Sequence, residues 1–158
     1  MDKTNAMRIL QQKKINFNTY EYPHEEGVCV DGQTVARLLH QNPKQVFKTL
    51  VLVSNTKQYY VCVVPVLDEL DLKKAAKEFK VKSLEMVMVK DLLAITGYVR
   101  GGCSPIGMKK AYPTIVDITA LSYDKIIFSG GKIGVQIEMN PNDLNKIIRL
   151  DFKDIRRD

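Results

Sequence analysis

The stretch 97–107, which reads G-Y-V-R-G-G-C-S-P-I-G, combines residue types that could bind a ligand through the main chain. Its four glycines and its proline disfavour helix and strand, because glycine loses backbone entropy there and proline lacks an N–H. The Gly101-Gly102 pair has no side chain to keep a ligand away from its carbonyl and amide groups. The sequence therefore predicts a shaped loop, which either binds a ligand or serves as a tight structural turn.

Lys48 is the second candidate, because it interrupts an apolar stretch. Residues 46–54 (V-F-K-T-L-V-L-V-S) have strand-forming side chains, and the turn at 55–57 predicts a hairpin with a second strand at 58–66. Strand alternation places Lys48 on the face of Leu50 and Leu52, where a lysine needs a partner or an exit for its head group. It is either an ammonium held in a cleft for an anion or ester oxygen, or a gatekeeper near a strand end.

The other reactive residue types give no pattern of their own. Cys29, Cys62 and Cys103 are an odd number without paired spacing, which argues against a disulfide framework. Together with the two histidines they offer no zinc spacing, and we find no Ser-His-Asp arrangement. The G-G-K-I-G stretch at 130–134 lacks the glycine spacing of a phosphate-binding loop. We expect neither a metal nor a cofactor.

The periodicity of the chain predicts the elements that position these residues. At 17–22 (F-N-T-Y-E-Y) the alternation predicts a strand with Tyr20 and Tyr22 on one face. Strands outnumber crossover helices, which favours a mixed α/β domain with a largely antiparallel or mixed sheet. Besides the hairpin, we predict helices from a cap at Thr4-Asn5 to Ile15, at 32–40, at 70–79 with Asp71 as N-cap, within 85–96 ending at Gly97, and from Asn140 to Ile148, with strands at 114–118, 125–129 and 134–139.

Length, charge and hydropathy limit the class of protein. The 158 residues fit one domain, and no apolar stretch approaches the roughly 20 residues of a membrane span. The N-terminal residues do not resemble a secretory signal, so we expect a cytoplasmic protein without a membrane partner. The net charge of +6 would attract polyanions without choosing a sequence, although a solvated face of surface lysines is the commoner explanation.

Four motifs together resemble the YbaK/EbsC family of aminoacyl-tRNA deacylases, over nearly the whole chain. They are F-K-T-L at 47–50, P-V-x-x-E-L-D-L-K-K at 65–74, G-Y-x-x-G-G-x-S-P-x-G at 97–107 and S-G-G-K-x-G at 129–134. The resemblance implies a single editing domain over 1–158. It also implies a mixed α/β fold in which helices surround a curled, barrel-like sheet of six strands.

The resemblance is closest to free-standing members that act in trans beside prolyl-tRNA synthetase. It implies removal of cysteine mischarged on tRNA(Pro), with cysteine on tRNA(Cys) as a further substrate, by attack of the cysteinyl thiol on its own ester. The partners implied are the mischarged aminoacyl-tRNA and, transiently, the synthetase. Two alternatives stay open: a deacylase of another small aminoacyl-tRNA, such as Ala-tRNA(Pro), that activates a water, and a non-catalytic tRNA-binding module.

The family motifs also imply roles for individual residues. Lys48 would be the essential cation, the Gly101 carbonyl would hold the substrate α-amino group, and Tyr22 would complete the catalytic set with Tyr20 as its rival. Gln136 stands where relatives carry aspartate, and a carboxamide can hydrogen-bond but cannot act as a base. Cys103 is interpreted as a small packing residue. The remaining substrate-binding residues implied are Gly102, Ser104, Pro105 and Ser129.

Overall fold

Within residues 2–158, which the computed structural model describes, the chain forms five α-helices and eight β-strands. The helices are α1 Asn5–Gln12, α2 Gly32–Leu38, α3 Leu72–Phe79, α4 Val89–Thr96 and α5 Pro141–Leu144. The strands are β1 Asn18–Glu21, β2 Phe47–Ser54, β3 Tyr59–Pro65, β4 Leu84–Met86, β5 Thr114–Asp117, β6 Ile126–Ser129, β7 Val135–Met139 and β8 Leu150–Lys153. None of the helices described here has the length and apolar character needed to cross a membrane.

The helix ends follow the local sequence. The Thr4 hydroxyl accepts a hydrogen bond from the Met7 amide and caps α1, as predicted. Asp71 caps α3, also as predicted, by accepting hydrogen bonds from two main-chain amides of the first turn. Helix α4 ends at Gly97, whose φ of 86° lies in the left-handed region that glycine adopts without strain. The glycine therefore marks where the loop 97–107 begins.

The strands form two separate sheets, which corrects the prediction of one six-stranded sheet. In the larger sheet the order is β4-β2-β3-β5-β8, with antiparallel pairing from β4 to β3 and parallel pairing from β3 to β8. The smaller sheet is antiparallel, with β7 between β1 and β6. The sheets do not close on themselves, so the barrel-like curl is not confirmed. The mixed α/β class is confirmed.

Two short strands were missed, and α1, α2 and α5 were predicted too long. Helix α1 ends at Gln12 and not at Ile15, and α2 ends at Leu38 and not at position 40. The three residues of β4 and the four residues of β8 are edge strands, each paired with one neighbour of the larger sheet. Their pairing depends on a partner that is distant in sequence, so local alternation does not reveal them. Helix α5 ends at Leu144 and not at Ile148, because the chain must turn back to reach β8.

A junction between the two sheets brings distant parts of the chain together. Val46, just before β2, forms a parallel bridge with Ile127 of β6. Both residues are buried, and with Ala36 and Val66 they form a small apolar cluster that packs against Tyr20. This cluster holds the beginning of β2, and hence Lys48, beside the adjacent ends of β6 and β7.

Candidate functional site

A cavity of about 120 Å³ opens at this junction. Strand β2, the loop 97–107 and the smaller sheet each contribute to its wall, together with the segment that leads into α2. The lining includes five of the predicted site residues, and Thr49 and Cys103 add further side chains with a hydroxyl or a thiol. The full lining consists of Tyr22, Val30, Gly32, Val35, Val46, Phe47, Lys48, Thr49, Val66, Gly101, Cys103, Phe128, Ser129, Val135 and Gln136.

Lys48 lies at the beginning of β2, opposite Val64 of β3. Its alternation partners Leu50 and Leu52 pack in the apolar core beneath α3, whereas Lys48 itself is half-buried and lines the cavity. Within residues 2–158, no carboxylate forms an ion pair with its ammonium. A half-buried cation without a carboxylate partner leaves a positive charge for an anionic or ester oxygen in the cavity.

The paired glycines of the loop have different positions. Gly101 lines the cavity with φ 85°, and a Cβ there would lie 2.8 Å from the sulfur of Cys29. Gly102 is buried and lies outside the lining; a Cβ on it would lie 2.9 Å from the Cα of Lys132. Its N–H donates to the Val99 carbonyl at 2.9 Å. Gly101 therefore presents bare main chain to the cavity, while Gly102 allows the loop to pack on the 129–134 turn.

The smaller sheet contributes Ser129 and Gln136, which are paired across β6 and β7. Gln136 is only 5% exposed, and its Oε1 accepts a hydrogen bond of 2.7 Å from the Nε2 of Gln41. The Ser129 hydroxyl oxygen accepts from the Gly131 amide at 3.3 Å. Both side chains thus bring neutral hydrogen-bonding groups to the cavity.

Of the two neighbouring tyrosines, Tyr22 lines the cavity and Tyr20 does not. Tyr22 is buried just beyond the end of β1, and its main-chain N–H donates to the Gly134 carbonyl at 3.0 Å. Burial raises the pKa of the Tyr22 phenol, which therefore stays neutral and can donate. The Tyr20 hydroxyl instead donates to Glu138 of β7 at 3.2 Å.

The cavity has a thiol that is not poised to react. Cys103 is buried, and burial raises its pKa to about 12, so the thiolate that would act as a nucleophile is not formed at neutral pH. The hydroxyl of Thr49 is buried and has no hydrogen-bond partner. Among the described residues, neither a carboxylate nor a histidine lines the cavity. The same part of the chain holds no group of three or more His, Cys, Asp or Glu side chains arranged for a metal ion.

The structure brings five of the nine predicted site residues to one cavity: Lys48, Tyr22, Gly101, Ser129 and Gln136. The other four, Tyr20, Gly102, Ser104 and Pro105, lie outside its lining. The Ser104 hydroxyl is buried and accepts from the Ile106 amide at 3.2 Å, which shapes the loop. Pro105 lines a separate, larger cleft of about 640 Å³.

Two polar residues of the site were missed by sequence reasoning. Thr49 directly follows Lys48, and its place in the F-K-T-L motif was the available signal. Gln41 contacts Gln136 across 95 positions of sequence, and no local pattern indicates that contact.

Comparisons with known proteins agree on one family. The profile of the aminoacyl-tRNA editing domain matches residues 28–147. An Enterococcus faecalis protein, EbsC, provisionally named a Cys-tRNA(Pro)/Cys-tRNA(Cys) deacylase, is 45% identical over 153 residues, which are 97% of this chain and 93% of that protein.

Solved structures of low sequence identity share the fold. A protein provisionally described as a trans-editing enzyme for prolyl-tRNA synthetase superposes with a TM-score of 0.81 at 20% identity, covering 99% of this chain and 100% of that one. A scaffold protein from an epitope-grafting design study gives a TM-score of 0.84 at 21% identity, covering 97% of this chain and 95% of that one.

Proposed function

Because the chain belongs to the aminoacyl-tRNA editing domain family, we propose that it is a trans-editing deacylase that removes cysteine mischarged on tRNA(Pro), and also cysteine from tRNA(Cys). The name of the Enterococcus faecalis relative supports this substrate. Residues 1–158 then act as one editing domain in the cytoplasm.

One observation carries the proposal: the cavity offers a cation and neutral hydrogen-bonding groups, but among the described residues no carboxylate or histidine lines it to act as a base for water or for a hydroxyl. An enzyme that activates water needs a positioned base or a metal ion. The buried Cys103 thiol is held protonated, and the buried Tyr22 phenol is held neutral. Such a cavity suits a substrate that carries its own nucleophile, as a cysteinyl ester does.

The size of the cavity supports a small aminoacyl group. A dry cavity of about 150 Å³ is known to hold benzene. At about 120 Å³, this cavity accommodates a side chain of the size of cysteine or alanine. Size separates these residues poorly from each other, because a single methylene changes binding by only about 1–3 kcal/mol. Discrimination for cysteine then comes from the reactivity of its sulfur.

The reaction proceeds within the bound substrate. The cysteinyl sulfur, as thiolate, attacks the carbonyl carbon of its own ester. The new S–C bond forms as the C–O bond to the ribose breaks, and the ribose oxygen takes up the proton that the thiol released. The products are uncharged tRNA and cysteine thiolactone, which water then opens to cysteine. The protein contributes by holding the acyl group folded back on itself and by stabilising charge.

Each site residue has a role in this scheme. The Lys48 ammonium stabilises the negative charge on the ester and ribose oxygens. The Gly101 carbonyl accepts from the α-amino group of the substrate, which its bare main chain allows to approach. Tyr22, Ser129 and Gln136 supply neutral hydrogen bonds around the acyl group. The net positive charge of the chain attracts the tRNA backbone, and contact with prolyl-tRNA synthetase is transient.

The experiment measures single-turnover release of cysteine, alanine and proline from charged tRNA(Pro), with mass analysis of the product. We expect fast release of cysteine as a thiolactone, one water lighter than cysteine. Replacing Lys48 with Met should slow release about 100-fold or more, as loss of one charge-stabilising group does in other sites. Lys44→Met is the matched control, because Lys44 is exposed on the short helix Pro43–Gln45 and lies outside the cavity.

The alternatives give different results in the same assay. Release of alanine as fast as cysteine would indicate a deacylase that activates water. Retention of tRNA without any release would indicate a binding module. Equal effects of the Lys48 and Lys44 variants would contradict a specific role of the Lys48 ammonium.

A further inference from the structure

A pair of side-chain amides joins α2 to the smaller sheet behind the cavity. Gln41 lies just after α2, where its main-chain N–H donates to the Ala36 carbonyl at 2.8 Å. Its side chain reaches Gln136 of β7, the central strand of the smaller sheet, with 2.7 Å between the Gln41 Nε2 and the Gln136 Oε1. Both residues are held by main-chain hydrogen bonds, so their side chains meet in a fixed geometry.

The direction of this hydrogen bond follows from burial. The Oε1 of Gln41 is buried and has no partner. If both amides were reversed, the buried and unpaired group would be the Gln41 N–H₂, with two unpaired donors in place of one unpaired carbonyl. Buried N–H groups without partners are rarer in proteins than buried carbonyls without partners. Gln41 therefore donates and Gln136 accepts.

This direction decides what Gln136 presents to the cavity. Its oxygen is engaged by Gln41, whereas its N–H₂ has no hydrogen-bond partner within residues 2–158. Gln136 lines the cavity. Its unpaired Nε2 is not fully buried, so the N–H₂ is accessible from the cavity. The cavity thus has a neutral donor at 136 in addition to the Lys48 ammonium.

We propose that Gln41 is a positioning residue that holds the Gln136 carboxamide with its N–H₂ toward the substrate. Gln136 then donates to the ester carbonyl oxygen as negative charge develops on it. The inference rests on the proposed function for the identity of that ester. Because the carboxamide is fixed in advance from outside the cavity, it does not have to reorient when the charge forms.

Two substitutions change the donor without changing the shape of the side chain. Gln136→Glu replaces the N–H₂ by a carboxylate oxygen, which at neutral pH can only accept. Gln41→Glu offers only acceptors to Gln136, which must turn its N–H₂ away from the cavity to bond with it. Gln45→Glu is the matched control: the Gln45 amide donates to the Lys125 carbonyl at the same junction of the sheets, but it does not line the cavity.

The test measures the rate constant and the half-saturating concentration for release of cysteine from Cys-tRNA(Pro). We expect Gln136→Glu to lower the rate constant about 100-fold and Gln41→Glu about 10-fold to 100-fold, with little change in half-saturation. Gln45→Glu should resemble the wild type. The uncharged variant Gln41→Met should also release cysteine more slowly than the wild type. That result would exclude the added charge of Gln41→Glu as the cause of its slower release. A merely structural contact would lower the melting temperature and leave the rate of the folded fraction unchanged.

The pH dependence provides a second readout. In the Gln136→Glu variant, the introduced carboxyl group regains an O–H donor when it is protonated. The rate of this variant relative to the wild type should therefore rise as the pH falls from about 8 to about 5. A flat ratio, or full activity of Gln41→Glu, would overturn the inference.

Nuclear magnetic resonance tests the geometry without any activity. The Gln41 side-chain N–H₂ should exchange slowly with solvent, and the Gln136 N–H₂ faster. The reverse order would overturn this inference and leave the deacylase proposal intact. A wild-type protein that releases no cysteine, but has the expected exchange order, would overturn the proposed function instead.

Discussion

Replacing Gly102 with alanine tests how the loop 97–107 is held in place. The added Cβ would lie 2.9 Å, 3.0 Å and 3.0 Å from three main-chain atoms of Lys132 and Ile133. Favourable carbon contacts are about 3.5–4.0 Å long, so the loop and the turn must separate by roughly 0.5–1 Å. Neither side can yield through a side chain, because all three atoms belong to the main chain.

The displacement should cost activity more than stability. Inserting a methyl group into a packed site destabilises by about 1–3 kcal/mol. At about 2–4 °C per kcal/mol for a domain of this size, the melting temperature should fall by about 2–12 °C. Gly101 adjoins the displaced residue, and a shift of about 1 Å in a positioned group can slow catalysis about 100-fold. We therefore expect a large loss of cysteine release at temperatures where the variant is fully folded.

The matched control is Gly27→Ala, in the loop before α2. Gly27 has φ 75°, and a Cβ there meets nothing within 4 Å. The substitution costs about 1–2 kcal/mol through backbone strain alone, so its effect on stability is comparable. Single-turnover release and thermal unfolding are measured for both variants. Release of cysteine at the wild-type rate by Gly102→Ala, or an equal loss of activity in both variants, would show that Gly102 does not hold the loop in its active position.

Three further predictions concern thiols and a helix cap. Burial raises the pKa of Cys62 to about 12, above the value near 9 of a free thiol, so the contribution of this thiol to stability is complete below pH 9 and is lost as the pH rises toward 12. In urea unfolding between pH 8 and 12, the free energy of unfolding should therefore fall less steeply with pH for Cys62→Ala than for the wild type. Equal pH slopes of the two proteins would contradict this. At neutral pH a thiol reagent should label the exposed Cys29 quickly and the buried Cys62 and Cys103 only on unfolding, which mass analysis distinguishes; fast labelling of all three thiols would disprove their burial. Asp71→Ala removes the cap of α3 and should destabilise by about 1 kcal/mol, a fall of about 2–4 °C in melting temperature by calorimetry, and an unchanged melting temperature would show that the cap is dispensable.

Local chemistry made much of the fold predictable. The β2–β3 hairpin, the Asp71 cap and the Gly97 helix end each depend on residues within a few positions of one another. Strands β4 and β8 depend on distant partners, and the junction of the two sheets depends on the bridge between Val46 and Ile127. Short-range periodicity has no access to such contacts.

The site, like the fold, was predictable where the signal lies in neighbouring residues and not where it depends on distant contacts. Lys48 and Gly101 could be selected from residue type and loop composition, and the structure brings them to one cavity. Alternation assigned Tyr20 and Tyr22 to one face, but β1 ends at Glu21 and Tyr22 alone reaches the cavity. The direction in which Gln136 presents its amide depends on its distant partner, so the sequence did not indicate it.

The most direct test of the account compares two substrates that differ by one sulfur atom. Cys-tRNA(Pro) and the Ala-tRNA(Pro) made from it by chemical desulfurisation have the same tRNA and nearly the same acyl volume. If the substrate supplies the nucleophile to a cavity that has none, cysteine should be released at least about 100-fold faster than alanine in single turnover, because an intramolecular attack is strongly favoured over attack by water. Release of alanine at a similar rate would contradict the account.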